Sequence, residues 1–440
     1  MVKSNLMKKQ LLAAVCFASL VIVAGCTKRS ATLTGNFGPP QLISPAEANA
    51  SEPALATAKD GDAYVVWVEH HGKDADVMLK HFNGEGQALG APIRVNAKAG
   101  QATAWRGDPP TVAVAEDGTI YIGWTGRAES STGGPANIYL SASRDSGRSF
   151  AAPITVNDDR KPAVHGMHSL AVSGDGRVYV AWLDERNVAP APMKDMKMDA
   201  SSRHHMESNR ELFFASSNDG GRSFAANQRL AADVCPCCKT TLTVARDGRV
   251  YVSWRQVLPG DYRHIAVSSS SDQGKTFANA TIVSNDEWVL KGCPVSGAAL
   301  LAGAAGTLRV LWYAGSDKGQ HGIYWSESRD AGQTFTPREL LAAGSARGTP
   351  VFLRDGGGGV WQDGEGSKAQ ILLSRFGKDG SVSSGPAGSP MIVTPAGELP
   401  AAASANGRVF IAYVADDGAK QSVWLINAEK GKLAFGDGGQ

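Results

Sequence analysis

The chain has no excess of charge of either sign: 44 lysines and arginines face 42 aspartates and glutamates among its 440 residues. That balance excludes the basic surface on which bulk nucleic-acid binding depends. The apolar run near the amino terminus, Leu11 to Val23, falls short of the roughly 20 residues a membrane-spanning helix needs. Cysteine is sparse, with six in all, which rules out a disulfide-dense miniature fold. Charged residues at 20% and hydrophobic ones at 42% fit neither a disordered nor a collagen-like chain, and the length suffices for a substantial core. What the chain does have in quantity is glycine (51) and proline (21). They imply many tight turns, the habit of all-β folds and not of helical bundles.

Residues 1–25 have the layout of a signal peptide, with Lys3, Lys8 and Lys9 ahead of the apolar run. Val23-Ala24-Gly25-Cys26 resembles a bacterial lipobox, so Cys26 is expected to carry the lipid and 26–38 to act as a tether. Thr27 follows, with no aspartate to argue for inner-membrane retention, so an outer-membrane anchor facing the periplasm or exterior is expected. Loss of three lysines leaves a net charge of about −1. Cys16 departs with the signal, and four thiols remain in an oxidising compartment: Cys235, Cys237, Cys238 and Cys293.

The rest of the chain repeats. A turn followed by an alternating strand that ends in an aromatic recurs seven times: Asp60-Gly61 to Trp67, Asp117-Gly118 to Trp124, Asp175-Gly176 to Trp182, Asp247-Gly248 to Trp254, Gly306 to Trp312, Asp355-Gly356 to Trp361, and Asn406-Gly407 to Tyr413. Asp-Gly and Asn-Gly supply the positive φ that tight hairpins require. About twenty residues on, four units carry S-x-D-x-G-x-[ST]-F, at 143–150, 217–224, 270–277 and 328–335.

These octets resemble the Asp-box of bacterial sialidases and related propellers. The resemblance implies a structural hairpin staple in which Ser and Asp bond the turn, Gly takes the left-handed position and Phe tucks between sheets. Each unit reads as four strands, for instance Pro110 to Ala115, Thr119 to Trp124, Asn137 to Ser143 and Ala152 to Asn157. The fold expected for 39–440 is therefore a single all-β domain, a seven-bladed β-propeller, with the six blades of the sialidases as the alternative. The seventh unit has three clear strands, and Pro40 to Ser44 is expected to supply its fourth and close the ring.

In a propeller, interblade loops and the loops after each second strand share one face, and the Asp-boxes occupy the other. On the first face fall Trp105, Arg106, His165-Gly166-Met167-His168, Cys235-Pro236-Cys237-Cys238, Trp288 to Cys293, and an insertion holding Met193, Met196, Met198, His204, His205 and Met206. Thioether, thiolate and imidazole donors suit copper, Cu(I) above all. A polar loop with incidental methionines, and one or two structural disulfides such as Cys293 to a member of the 235–238 group, are the competing readings. A bond between adjacent Cys237 and Cys238 would be strained.

Sialidases, which the chain resembles, hold a sugar carboxylate with three arginines and use Tyr, Glu and Asp. Arg186, Arg255 and Arg347 stand at successive blade tops, with Asp184, Glu185 and Tyr262 as candidates for the other roles. The family's Arg-Ile-Pro motif is absent; Pro39-Pro40-Gln41-Leu42-Ile43 stands in that region. The expectation is an envelope propeller that binds a ligand or soft metal on the face of blades 3–5. A sialidase-like glycoside hydrolase is the first alternative, and a protein-binding scaffold the second. A membrane through the lipid anchor, and a carbohydrate or protein, are the expected partners.

Overall fold

The computed structural model describes residues 37–433, except 104–106, 129–135, 160–161, 189–208, 291–294, 316–318, 354–357, 377–381 and 384–389. Its strands form seven antiparallel meanders of four, the sixth joined by a fifth short strand, Val382–Ser383. Blade 1 consists of Ala50–Thr57, Ala63–His71, Asp74–Phe82 and Ile93–Arg94, and blade 2 of Thr111–Val114, Ile120–Arg127, Ala136–Ser143 and Ile154–Thr155. Blade 3 has His165–Val172, Val178–Asp184, Arg210–Ser217 and Gln228–Val234; blade 4 has Thr241–Val244, Val250–Leu258, Tyr262–Ser270 and Thr281–Ile282. A single pair, Val234 with Gln256, links these two blades into one sheet. Blade 5 runs through Ala298–Ala302, Leu308–Ala314, Gly322–Ser328 and Glu339–Ala343, and blade 6 through Ala346–Leu353, Gly358–Asp363, Gln370–Phe376 and Met391–Thr394.

Blade 7 closes the ring as the sequence implies. Glu398–Ala405, Arg408–Asp416 and Gln421–Glu429 are completed by Gln41–Leu42, with Gln41 opposite Leu425 and Leu42 opposite Trp424. Innermost strands touch their neighbours in cyclic order, blade 7 meeting blade 1, so seven blades surround one axis.

The core lies between blades. One apolar cluster joins Trp67 and Ile43 to Phe410 and Leu425 across the closure, another joins Tyr64 to Trp124, and a third joins Tyr121 to Trp182. The Asp-box is part of this packing. Ser217 Oγ accepts from Gly221 N at 2.9 Å and donates to Asp219 Oδ1 at 2.7 Å, and Asp219 in turn accepts from Ser223 N and Oγ. Two consecutive residues take positive φ in each box, as at Gln273 (65°) and Gly274 (82°). A Cβ on Gly274 would lie 2.7 Å from the ring of Phe214 in the preceding blade, which is why only glycine fits. Phe277 then packs edge-on against Phe214, with ring centroids 4.8 Å apart.

Candidate functional site

A second repeated device governs the opposite face. The indole N–H of the second-strand tryptophan donates to a side chain two residues on: Trp67 to Glu69 at 3.2 Å, Trp182 to Asp184 at 2.8 Å and Trp254 to Gln256 at 2.7 Å. Residues two apart on a strand share a face, so the bond costs no backbone distortion. In blade 2 this position is Gly126, where a Cβ would meet the Tyr139 ring at 2.8 Å and the Gln101 carbonyl at 2.9 Å. Trp124 Nε1 accordingly has no partner. Blade 5 has Ala314 there, and Trp312 turns to Asp286 at 2.9 Å.

This device accounts for Asp184. Fully buried, it accepts from Trp182, from Arg186 N at 2.8 Å and from Arg186 Nε at 3.0 Å. The Arg186 guanidinium is further committed to Asp158, at 2.7 Å, and to Asn227, and stacks 4.3 Å from the Phe213 ring. Glu185 is paired with Arg210 at 2.6 Å. Arg255 is wholly buried: its nitrogens donate to the carbonyls of Ser296, Tyr313 and Arg263, and it lies 5.0 Å from the Trp288 ring. Arg347 pairs with Gln362 through the inner strand of blade 6; its side chain lies outside the described residues. Tyr262 is exposed at the start of blade 4's third strand, against Leu258 and Val289. Arg186 is thus held by carboxylates and an asparagine of the scaffold, and Arg255 by backbone carbonyls.

The expected soft-ligand face divides in the same way. His165 Nδ1 is 2.6 Å from the Ala136 carbonyl, and Nε2 is 3.0 Å from Asp159 and 3.4 Å from Asp184, so it ties blade 2 to blade 3. His168 faces Asp108 at 3.7 Å. Cys235, Cys237 and Cys238 do come together, with their sulfurs within 4.8 Å of one another and all three buried. Cys237 is disulfide-bonded, while Cys235 and Cys238 are free thiols. Cys293, Met193, Met196, Met198, His204, His205 and Met206, and also Trp105, Arg106 and Cys26, lie outside the described residues.

At the centre of the ring is a cavity of about 600 Å³ lined by the inner strands of all seven blades. Its mouth lies where those strands begin. Lys239, partly buried there, donates to the Pro109 carbonyl at 2.8 Å and sits 3.4 Å from Asp108. Asp108 also accepts from Thr125 Oγ1 at 2.5 Å. Burial raises the Asp108 carboxyl pKa, but Lys239, His168, the Thr125 hydroxyl and the Met167 N–H outweigh it and hold the group below its usual range. Burial, and then the Lys239 charge, bring His168 down to about 4 against the pull of Asp108. At pH 7 Asp108 is therefore a carboxylate and His168 a neutral imidazole, while burial lowers the Lys239 pKa against the raising pull of Asp108. Across the mouth, Glu365 is exposed and Glu398 half-buried, its Oε1 accepting from Gly366 N at 2.8 Å. Thr111, Ser169, Thr241 and Thr349 also line the cavity, their hydroxyls bonded to Gly123 O, Thr240 Oγ1, Ala298 O and Gly297 N. Sequence reasoning passed over Asp108 and Lys239, since neither belongs to a repeated motif.

Residues 69–348 match the family model described as a BNR repeat-like domain. The chain belongs to that family. No curated protein matches the sequence. Among solved structures it is similar to a protein of unknown function from Dyadobacter fermentans, at 14% identity and TM-score 0.52, covering 90% of this chain and 99% of the other. The polysaccharide lyase Uly1 matches at 12% identity and TM-score 0.51, with 90% and 92% covered. An α-L-arabinanase from Penicillium chrysogenum matches at 10% identity and TM-score 0.50, with 90% and 99% covered. These likenesses show the fold; the family match bears out the sialidase-like, BNR-repeat reading of the four Asp-boxes.

Proposed function

We propose that this protein takes a carbohydrate into the mouth of its central cavity. The observation that carries the reading is the cavity itself: about 600 Å³, in the size range of small-ligand sites, with a cation at Lys239, carboxylates at Glu365 and Glu398, and hydroxyl-bearing walls. Sugars present many hydroxyls that donate and accept, and such a mixed lining matches them better than an apolar or single-sign one does. Two proteins that share the fold, the polysaccharide lyase and the arabinanase, are named for chemistry on glycans, which supports the same ligand class here. The BNR-repeat family match supports hydrolysis of a glycoside as a second reading of the same cavity.

The test is calorimetric titration with a panel of neutral and acidic oligosaccharides, alongside fluorogenic glycosides. One saturable ligand is expected. Glu398→Gln should weaken it about tenfold through loss of a charge-assisted hydrogen bond, and Ala54→Trp, which puts a bulky ring on the cavity wall, should weaken it further. Binding unaffected by Ala54→Trp places the sugar elsewhere and sinks the proposal. Robust turnover of a glycoside that Glu398→Gln removes makes the protein a hydrolase acting at the same cavity.

Residues 1–25 and Cys26 support a second part of the reading, an exported protein held to the envelope membrane by lipid on Cys26. Metabolic labelling with a fatty-acid probe should mark the wild type and not Cys26→Ser, and membrane fractionation should shift accordingly.

A further inference from the structure

The cluster of three cysteines takes no part in the cavity at the ring axis. Cys235 Sγ lies 3.4 Å from Cys238 Sγ and 3.8 Å from Cys237 Sγ, and all three sulfurs fall within 4.8 Å of one another. A metal–sulfur bond of about 2.3 Å in a trigonal plane sets sulfurs about 4 Å apart, so the triangle needs only small adjustments to close on one ion. Its surroundings select the ion. Cys235, Cys237 and Cys238 pack with Met167, Val234 and Trp254 in one buried apolar cluster between blades 3 and 4. This apolar shell, with the guanidiniums of Arg255 and Arg263 as the charges acting on the sulfurs, suits thiolate ligation of a soft cation better than the oxygen ligation a hard one needs. Among the described residues this is the single group of three or more His, Cys, Asp or Glu side chains whose ligand atoms come so close.

One obstacle is built in. Cys237 is disulfide-bonded, while Cys235 and Cys238 are free thiols. We propose that Cys235, Cys237 and Cys238 form a redox-gated site for a soft monovalent cation, Cu(I), which opens when a thiol or dithiol reductant cleaves the Cys237 disulfide. The step balances: a dithiol gives up two electrons and two protons and becomes a disulfide, and the protein disulfide becomes two thiols. Binding then displaces protons from the three thiols, and three sulfur ligands hold the ion. In the oxidised state the two free thiols remain, too few for a trigonal site, so the cation is not retained. All three sulfurs lie within four consecutive residues, 235–238, anchored by Cys235 N donating to the Arg255 carbonyl at 2.9 Å.

The full chain is titrated with Cu(I) without oxygen, against a chromophoric chelator, before and after dithiol treatment, with thiols counted in both states. Reduced protein should take up one ion, with X-ray absorption showing three sulfurs at about 2.3 Å. Untreated protein should bind at least a hundredfold more weakly. Cys235→Ser and Cys238→Ser should each lower the affinity of the reduced form tenfold or more. Because a variant can fail by unfolding, circular dichroism accompanies each, and the absorption measurement on the wild type decides independently. Equal uptake before and after reduction overturns the gate; no uptake by protein whose thiols count as reduced, or a nitrogen- and oxygen-rich shell, overturns the site.

Discussion

Lys239 of blade 4 reaches past blade 3 to blade 2, its Nζ 2.8 Å from the Pro109 carbonyl and 3.4 Å from the Asp108 carboxylate. Neighbouring blades are joined by apolar packing and by bonds such as Arg255 to the Tyr313 carbonyl; this bond joins second neighbours. It also fixes the charge state of His168 between them, because the ammonium and burial together outweigh the pull of Asp108 on the imidazole.

Replacing Lys239 by Met should therefore be costly. Asp108 would be left buried with its cation gone, and removing one partner of a buried pair costs about 3 kcal/mol or more. Lys239 retains some exposure, so the lower end applies. Urea denaturation measures the loss; a change below about 1 kcal/mol would show that the pair behaves as a surface bridge.

Acid should weaken the fold in two stages. His168 is neutral in the native state with a pKa of about 4 against 6.5 for the free group, so the unfolded chain binds a proton first. Stability is then lost as pH falls from 6.5 toward 4, by about 3 kcal/mol in all. Asp108, whose pKa is depressed, contributes stability that is present above the ordinary carboxylate pKa and disappears as pH falls through its lower folded value. His168→Gln should flatten the first stage and leave the second. An unchanged slope between pH 6.5 and 4 in that variant would falsify the assignment.

Arg255 is expected to act as a strut. Arg255→Ala strands the carbonyls of Ser296 and Tyr313 in the interior, and each buried unpaired group costs about 1–3 kcal/mol. The loss should appear in thermal and urea midpoints, while oligosaccharide affinity per folded molecule stays within twofold of wild type. A selective loss of sugar binding with the fold intact would restore Arg255 as a ligand-binding residue.

Ring closure can be probed at Ile43, which is buried between blades 7 and 1 and donates its N–H to Val423 at 3.0 Å. Ile43→Ala should cost about 2–5 kcal/mol from the cavity it leaves. Were the amino-terminal segment a loose appendage, the same change would leave the unfolding midpoint where it was.

In the Asp-box, Ser217→Ala removes the acceptor of Gly221 N and the donor to Asp219, and about 1 kcal/mol of stability should go with them. Equilibrium denaturation of this variant beside Asp219→Asn, which keeps one acceptor oxygen, separates the serine's share from the aspartate's.

The sequence by itself determined the architecture. Asp-Gly turns, the Trp repeat and S-x-D-x-G-x-[ST]-F recur because each blade must solve the same local problem, and a local solution is written in adjacent residues. Even the closing strand was legible, since the seventh unit lacked a partner that Pro40 to Ser44 could supply. The role of Asp184 was legible in principle too, in the Trp-x-acid spacing shared by Trp67 with Glu69 and Trp182 with Asp184. Only the tertiary structure decided what the unrepeated residues do. Arg255 stands at a blade top in sequence, but its guanidinium turns into the junction with blade 5, where it donates to the Ser296 and Tyr313 carbonyls. Lys239 and Asp108, 131 residues apart, meet because the ring brings blades 2 and 4 to a common axis, and no pattern along the chain encodes a distance across it.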